Sequence, residues 1–240
     1  MRDVDRLRKS VTRMISEYSL IKEGDRVLVA VSGGIDSTVL LSALRSIQQR
    51  SPYKFSIQPF HVDQKFPGFS ISPLEDWIEN QGLRLEIHEF DTFSLIDKKQ
   101  FENDSPCAVC SRMRRGILYT YAKKNGFSKI ALGHHRDDLN ETLLMNMMFS
   151  GRMASMPPKF KAQDGKNVVI RPMCSVSKEL IVRVFETLEA PVIKNSYCEK
   201  REKSSRKYIH SLLEQLRLKN PTILNNLAAS IKNIHPSHLM

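Results

Sequence analysis

The sequence predicts an α/β fold, a doubly wound parallel sheet covered by helices on both faces and followed by a basic, mainly helical extension. Three observations predict it. Short β-branched apolar runs alternate with segments of helical period, as right-handed crossover units require. The stretch Arg26-Val-Leu-Val-Ala-Val31 is apolar from its second residue on, the pattern of a strand buried on both faces. A glycine pair, Gly33-Gly34, then separates that strand from the next helical segment, the punctuation of a strand-to-helix turn.

Taken in order, residues 3–20 place Val4, Leu7, Val11, Met14, Ile15 and Tyr18 at helical spacing, and Gly24 ends the segment. After the Arg26–Val31 strand, Ser37–Ile47 reads as a helix. Phe55–Val62 is a second strand, Leu74–Gln81 a second crossover helix and Arg84–Phe90 a third strand. Ser111–Asn125 is helical, Lys129–Gly133 a strand, Asp138–Phe149 a helix and Val168–Pro172 a further short strand. The chain divides into an N-terminal helix (1–24), an α/β domain (25–172) and a basic helical region (173–240). No internal repeat or low-complexity tract interrupts it.

The charge is uneven. Residues 1–150 hold 21 basic and 19 acidic side chains, whereas residues 151–240 hold 16 and 7, so most of the formal +11 lies in the last third. Such a field suits a polyanionic partner such as nucleic acid. At 41% hydrophobic and 26% charged, the composition excludes a wholly disordered chain. No apolar run reaches bilayer-spanning length, and the charged N-terminus is no secretory signal, so no membrane association and a cytoplasmic location are expected. In that compartment Cys107, Cys110, Cys174 and Cys198 are expected as thiols.

Ser32-Gly-Gly-Ile-Asp-Ser37 is the most informative segment. Adjacent glycines bring backbone N–H groups close to a ligand, and with the start of the following helix they form an anion nest sized for phosphates. Ser32, Gly33, Gly34, Ser37 and Thr38 are therefore expected to bind a nucleotide, with Asp36 positioned for a Mg²⁺ that bridges phosphates. No Gly-Lys-Ser/Thr follows, which excludes a Walker loop, and a third glycine is missing for a dinucleotide fingerprint.

Cys107-Ala-Val-Cys110 places two thiols one turn apart, and Cys198 is the natural third ligand of a metal centre. Spacing alone leaves zinc and an iron–sulfur cluster equally open. Cys174 reads as a buried small hydrophobe. Arg112, Arg114 and Arg115, read at the start of a helix, call for an anion, either ATP or RNA phosphate. Asp63, after the second strand, is balanced between nucleotide contact and a turn carboxylate. His134, His135, Asp137 and Asp138 suit a divalent metal on their own spacing, while Asp138 also suits a helix cap.

With these blocks assembled, the sequence resembles the tRNA 2-thiocytidine synthetase family, within the PP-loop ATP pyrophosphatases of Rossmann-like, adenine nucleotide alpha hydrolase-like fold. The residues that carry the resemblance are Ser32–Ser37, Val62-Asp-Gln-Lys65, Pro67-Gly-Phe69, Cys107–Tyr119, Ile130–Asp138, Met156-Pro-Pro-Lys159, Ile170-Arg-Pro172, Cys198 and Pro236-Ser-His-Leu239. The family implies ATP-dependent thiolation of an anticodon-loop cytidine, position 32, in tRNA. The C2 oxygen is adenylated and sulfur then replaces it.

The resemblance also implies a 4Fe–4S cluster on Cys107, Cys110 and Cys198, a sulfur donor such as a cysteine desulfurase, and a homodimer. It sets Gly133, His134, His135, Asp137 and Asp138 facing the nucleotide, with Asp138 or Asp137 assisting Mg²⁺ or orienting the nucleotide. Asn195 and Glu199 depart from the second Cys-x-x-Cys and glycine usual near the third ligand, and Ile35 stands where many relatives have lysine. Lys159, Lys161, Arg206 and Lys207, with Arg112 and Arg115, are expected to contact RNA phosphates. Two rival readings are a 2-thiouridine or lysidine synthetase of the same superfamily and a non-catalytic, metal-stabilised RNA-binding module.

Overall fold

The computed structural model describes residues 1–98, 106–162, 165–193, 205–235 and 237. Its elements are α1 (Arg2–Glu17), β1 (Arg26–Ala30), α2 (Ile35–Arg50), β2 (Ser56–Asp63), α3 (Ser72–Asn80), β3 (Glu86–Glu89), α4 (Thr92–Lys98) and α5 (Pro106–Lys124). They continue with β4 (Lys129–Ala131), α6 (Arg136–Ser150), β5 (Lys159–Lys161), β6 (Val168–Ile170), α7 (Lys178–Glu186), α8 (Ser205–Lys219) and α9 (Ile223–Ser230).

The six strands form one sheet in the order β3-β2-β1-β4-β6-β5, parallel except where β5 joins β6 antiparallel. The doubly wound α/β class read from the sequence is the observed one. β1 lies in the middle, and the alternation of its side chains sorts them between two cores. Val27 and Val29 face a cluster with α1, α2, α3 and α7, while Leu28 faces one with Phe60, Leu118 and Ala122, the last two from α5. All three β1 side chains are fully buried, each stabilising the sheet by roughly 1.5–3 kcal/mol relative to exposure.

α1 buries Leu7, Val11, Met14 and Ile15 in the first cluster, and Asp3 and Asp5 in its first turn complement the helix dipole. α7 buries Leu180, Ile181, Val184 and Phe185 in the same cluster. Segments 1–24 and 173–240 thus each place a helix in the core of the α/β layers. α8 and α9 instead pack on α6 around a smaller core of Ile209, Leu213 and Leu224.

Two described elements escaped the periodicity reading. β5 is a three-residue edge strand, Lys-Phe-Lys, whose lysines suit a sheet edge and whose apolar content is too slight to announce a strand. α4 spans only seven residues.

One close approach positions everything at the carboxyl ends of β1 and β4. A Cβ on Gly133 would stand 3.1 Å from the backbone carbon of Asp36, 3.2 Å from its oxygen and 3.2 Å from the Ser37 nitrogen. All three are backbone atoms in the first turn of α2, so the neighbour cannot rotate away. Gly133→Ala is expected to cost about 1–3 kcal/mol, the range for overpacking, and to weaken ATP binding with it. Thermal melts and nucleotide titration check both.

Candidate functional site

The loop after β1 is braced by its own side chains. Gly33 has φ +87°, a left-handed conformation that glycine adopts without a Cβ penalty. The Ser37 hydroxyl donates to the Gly34 carbonyl at 2.9 Å and accepts the Ser32 N–H at 3.1 Å. Gly34 then caps α2, whose first turn aims unpaired N–H groups across the loop. Thr38 departs from expectation: it is fully buried and its hydroxyl donates to the Gly34 carbonyl at 3.2 Å, so it closes the loop rather than facing a ligand.

A cleft of about 440 Å³ opens over this loop. Ser32, Gly34, Asp36 and Ser37 line it from the loop, Gly133, His134 and Asp138 from the tip of β4 and the start of α6, and Cys110 and Arg114 from α5. It lies at the carboxyl ends of the strands where the sheet order reverses, the usual ligand position of open α/β sheets.

His135 is the electrostatic hub. Its Nε2 stands 3.6 Å from Asp36 Oδ1 and 3.4 Å from Asp138 Oδ2, and its Nδ1 stands 3.7 Å from Asp137 Oδ2. Burial pushes the imidazole toward the neutral form, but the three carboxylates outweigh it and raise its pKa. Burial likewise opposes ionisation of Asp137, yet His135, Arg136 and the Lys178 N–H together hold its pKa down at about 2. Asp137 accepts that N–H at 2.9 Å and so ties the start of α7 to the start of α6.

Asp138 is the third residue of α6, not a cap for a helix beginning at Leu139. It accepts the His135 N–H at 3.0 Å while lining the cleft. Burial, with Arg171 beside it, lowers the His134 pKa to about 4. Arg171 donates to its Nδ1 at 3.2 Å, which leaves Nε2–H as the donor of the neutral ring.

α5 as described runs from Pro106, five residues before the start that the sequence predicts. Cys107 and Cys110 therefore stand one turn apart at the start of the described helix, and Arg112, Arg114 and Arg115 lie beyond them. The arginines thus follow the cysteines along the helix rather than opening it. Cys107 is exposed and Cys110 half-buried, with Sγ of Cys110 accepting a hydrogen bond from Gln64 Nε2 at 2.9 Å. Cys174 is buried, and burial pushes its thiol up to about 11, consistent with packing rather than ligation. Cys198 lies outside the described residues.

Asp63 takes the turn role: its carboxylate accepts the Lys65 N–H at 2.8 Å and pairs with its ammonium at 3.0 Å, away from the cleft lining. Lys159 donates to the Ser19 carbonyl at 2.8 Å, Arg206 pairs with Glu141 at 3.3 Å, and Lys161 and Lys207 are exposed. None of the four lines the cleft.

Sequence reasoning passed over Gln64 and Lys178 as site residues. Gln64 follows β2, where the carboxyl-end rule points; Lys178 carries no local signal. Among the described residues, no three His, Cys, Asp or Glu side chains are arranged to hold a metal ion. No described helix is long and apolar enough to cross a membrane.

A family model described as PP-loop domain matches residues 5–215. A relative in Bdellovibrio bacteriovorus named tRNA-cytidine(32) 2-sulfurtransferase is 42% identical over 98% of this chain and 90% of its own length. One of the same name in Tolumonas auensis is 41% identical over 98% and 78%. Among solved structures, the U34-tRNA thiolase NcsA from Methanococcus maripaludis with its 4Fe–4S cluster superposes with TM-score 0.74 over 97% of this chain and 80% of its own, at 18% identity. An NH3-dependent NAD synthetase from Campylobacter jejuni reaches 0.51 over 98% and 94%, at 19% identity. At such identities both matches bear on the fold alone.

Because folding holds Asp137 ionised, its contribution to stability is complete above the ordinary value of 3.8 and is lost as pH falls toward about 2. Acid unfolding in that window is expected to lose part of its pH dependence in Asp137→Asn, which circular dichroism across the acid limb measures.

Proposed function

The chain belongs to the PP-loop family, in the branch of the tRNA-cytidine(32) 2-sulfurtransferases, and from that premise we propose that it thiolates C2 of cytidine 32 in the tRNA anticodon loop at the expense of ATP. The observation that carries this reading is a single cleft lined both by the glycine loop and by Cys110 with Arg114. A lysidine synthetase has no use for the cysteine pair, and an RNA-binding module has none for the loop.

The chemistry accounts for that combination. The C2 oxygen of cytosine is amide-like and leaves poorly, so it must first be activated. It attacks the α-phosphorus of ATP, the bond to pyrophosphate breaks, and the loop N–H groups with Ser32 stabilise the departing charge. Sulfide sulfur then adds at C2, its proton is released, and the C2–O bond breaks to free AMP. The His134 Nε2–H and Arg114 face the cleft as donors for the α-phosphate.

Asp36 and Asp138 offer the hard oxygen ligands that Mg²⁺ uses beside phosphate oxygens. Two cysteines one turn apart on α5, a nearby arginine and the Gln64 N–H···S bond suit a thiolate-held 4Fe–4S cluster on Cys107, Cys110 and Cys198. When bound, the cluster supplies an iron position without a cysteine ligand for sulfur. Cys198 follows Ile193 by five residues, and Ile193 lines the same cleft; five residues reach at most about 18 Å.

The anticodon loop presents a base that can be splayed into the cleft. Arg112, Arg115, Lys159, Lys161, Arg206 and Lys207 supply cations for its backbone. A desulfurase-type donor and a homodimer complete the reading.

Protein purified without oxygen is expected to be coloured and to contain iron and sulfide, and to form AMP, pyrophosphate and 2-thiocytidine with ATP, Mg²⁺ and tRNA. Colourless, zinc-loaded protein would argue against the cluster. Cys198→Ala is expected to abolish thiolation while ATP binding persists, and equal loss of both would make Cys198 structural. Gln64→Leu is expected to lower cluster retention by about 10–100-fold, the range for removing a supporting hydrogen bond. Iron content after chelator challenge reads it.

A further inference from the structure

We infer that Lys178 completes the phosphate site: its ammonium holds Asp36 in the free protein and moves to the pyrophosphate oxygens when MgATP binds. This rests on the cleft being the nucleotide site. Residues 32–38 contain no basic side chain. Ile35, midway along the loop, packs partly buried against the main core cluster. The loop thus meets a polyanion with backbone dipoles, hydroxyls and one carboxylate of the same sign as the ligand. It needs a cation from elsewhere in the fold.

Lys178 provides one from 142 residues away, its Nζ standing 2.6 Å from Asp36 Oδ1. Its main chain is fixed. The N–H donates to Asp137 Oδ2 at 2.9 Å, the Arg136 N–H donates to the Val176 carbonyl at 2.9 Å, and the Ser177 hydroxyl caps α7 by accepting the Leu180 N–H at 3.3 Å. Leu180, Ile181, Val184 and Phe185 lock the helix register behind it.

The side-chain tip, in contrast, is free to move. The two side chains of the pair are 41% and 36% exposed, and ion pairs that open to water hold weakly. A cation held by Asp36 would take that carboxylate from the ammonium, and Lys178 Nζ would then be available to a phosphate at the loop. Lys178 and Asp36 thereby form a preset pair, neutral when empty, that opens into one site for metal and one for phosphate.

The test titrates the full chain with ATP, pyrophosphate and AMP in the presence of Mg²⁺, using wild type, Lys178→Met and Lys178→Arg, with thermal melts alongside. Lys178→Met is expected to weaken ATP and pyrophosphate about tenfold, as loss of one charge-assisted hydrogen bond does. AMP should be unaffected, and Lys178→Arg should keep most of the affinity. Unchanged ATP binding in Lys178→Met overturns the inference. Equal weakening of ATP and AMP also overturns it, since that is the signature of a structural clamp between α7 and α2. A wild type that binds neither ATP nor pyrophosphate removes the nucleotide reading itself, and the role of Lys178 with it.

Discussion

The contact between Gly133 and the first turn of α2 is the constraint on which the site depends. β1 and β4 are adjacent and parallel, so the segments leaving their carboxyl ends must diverge or collide. They nearly collide: a Cβ on Gly133 would stand 3.1–3.2 Å from the α2 backbone, a tight contact that the backbone would have to yield to. Because the tip of β4 lies against Asp36 and Ser37, the residues that follow it, His134 through Asp138, are delivered to the phosphate loop. The cleft is a consequence of that delivery.

Charge is then arranged by sign. Three carboxylates, Asp36, Asp137 and Asp138, surround the buried His135, while Arg136 pairs with Asp137 and Lys178 with Asp36. The result is a network that ties the starts of α6 and α7 to the loop, with Asp138 holding the His135 N–H while it lines the cleft wall. On the other wall, α5 brings Cys110 and Arg114 to the same space, with Gln64, just after β2, donating to Cys110. The near-neutral first 150 residues thus hold most of the cleft, while the basic last third adds Ile193 to its lining and sets Lys178 against Asp36.

Much of this was legible in the chain. β1, β2 and β4 are read from apolar, β-branched runs because a doubly buried strand has no polar face to hide them. The phosphate loop is read because its signal is local: Gly33 needs a left-handed backbone, and the serine hydroxyls act within a few residues. The start of α5 was misread because Cys107-Ala-Val-Cys110 shows no apolar stripe, and with it the place of Arg112–Arg115 along the helix. Asp63 and Gln64 are neighbours after the same strand, and nothing in their types says that the carboxylate closes a turn with Lys65 while the amide faces the cysteine.

By itself the sequence determined the α/β class, the glycine loop, the cysteine pair one turn apart and the skew of charge toward the C-terminal third, because each depends on backbone preference, period or composition over a short stretch. Only the tertiary structure decided that Thr38 is turned inward, that Gly133 packs tightly against the α2 backbone, that Asp137 ties α6 to α7 while Asp138 lines the cleft, and that Lys178 meets Asp36. Those outcomes depend on which side chains occupy the same few ångströms after residues up to 142 apart have packed together. Spacing along a chain carries no record of that distance.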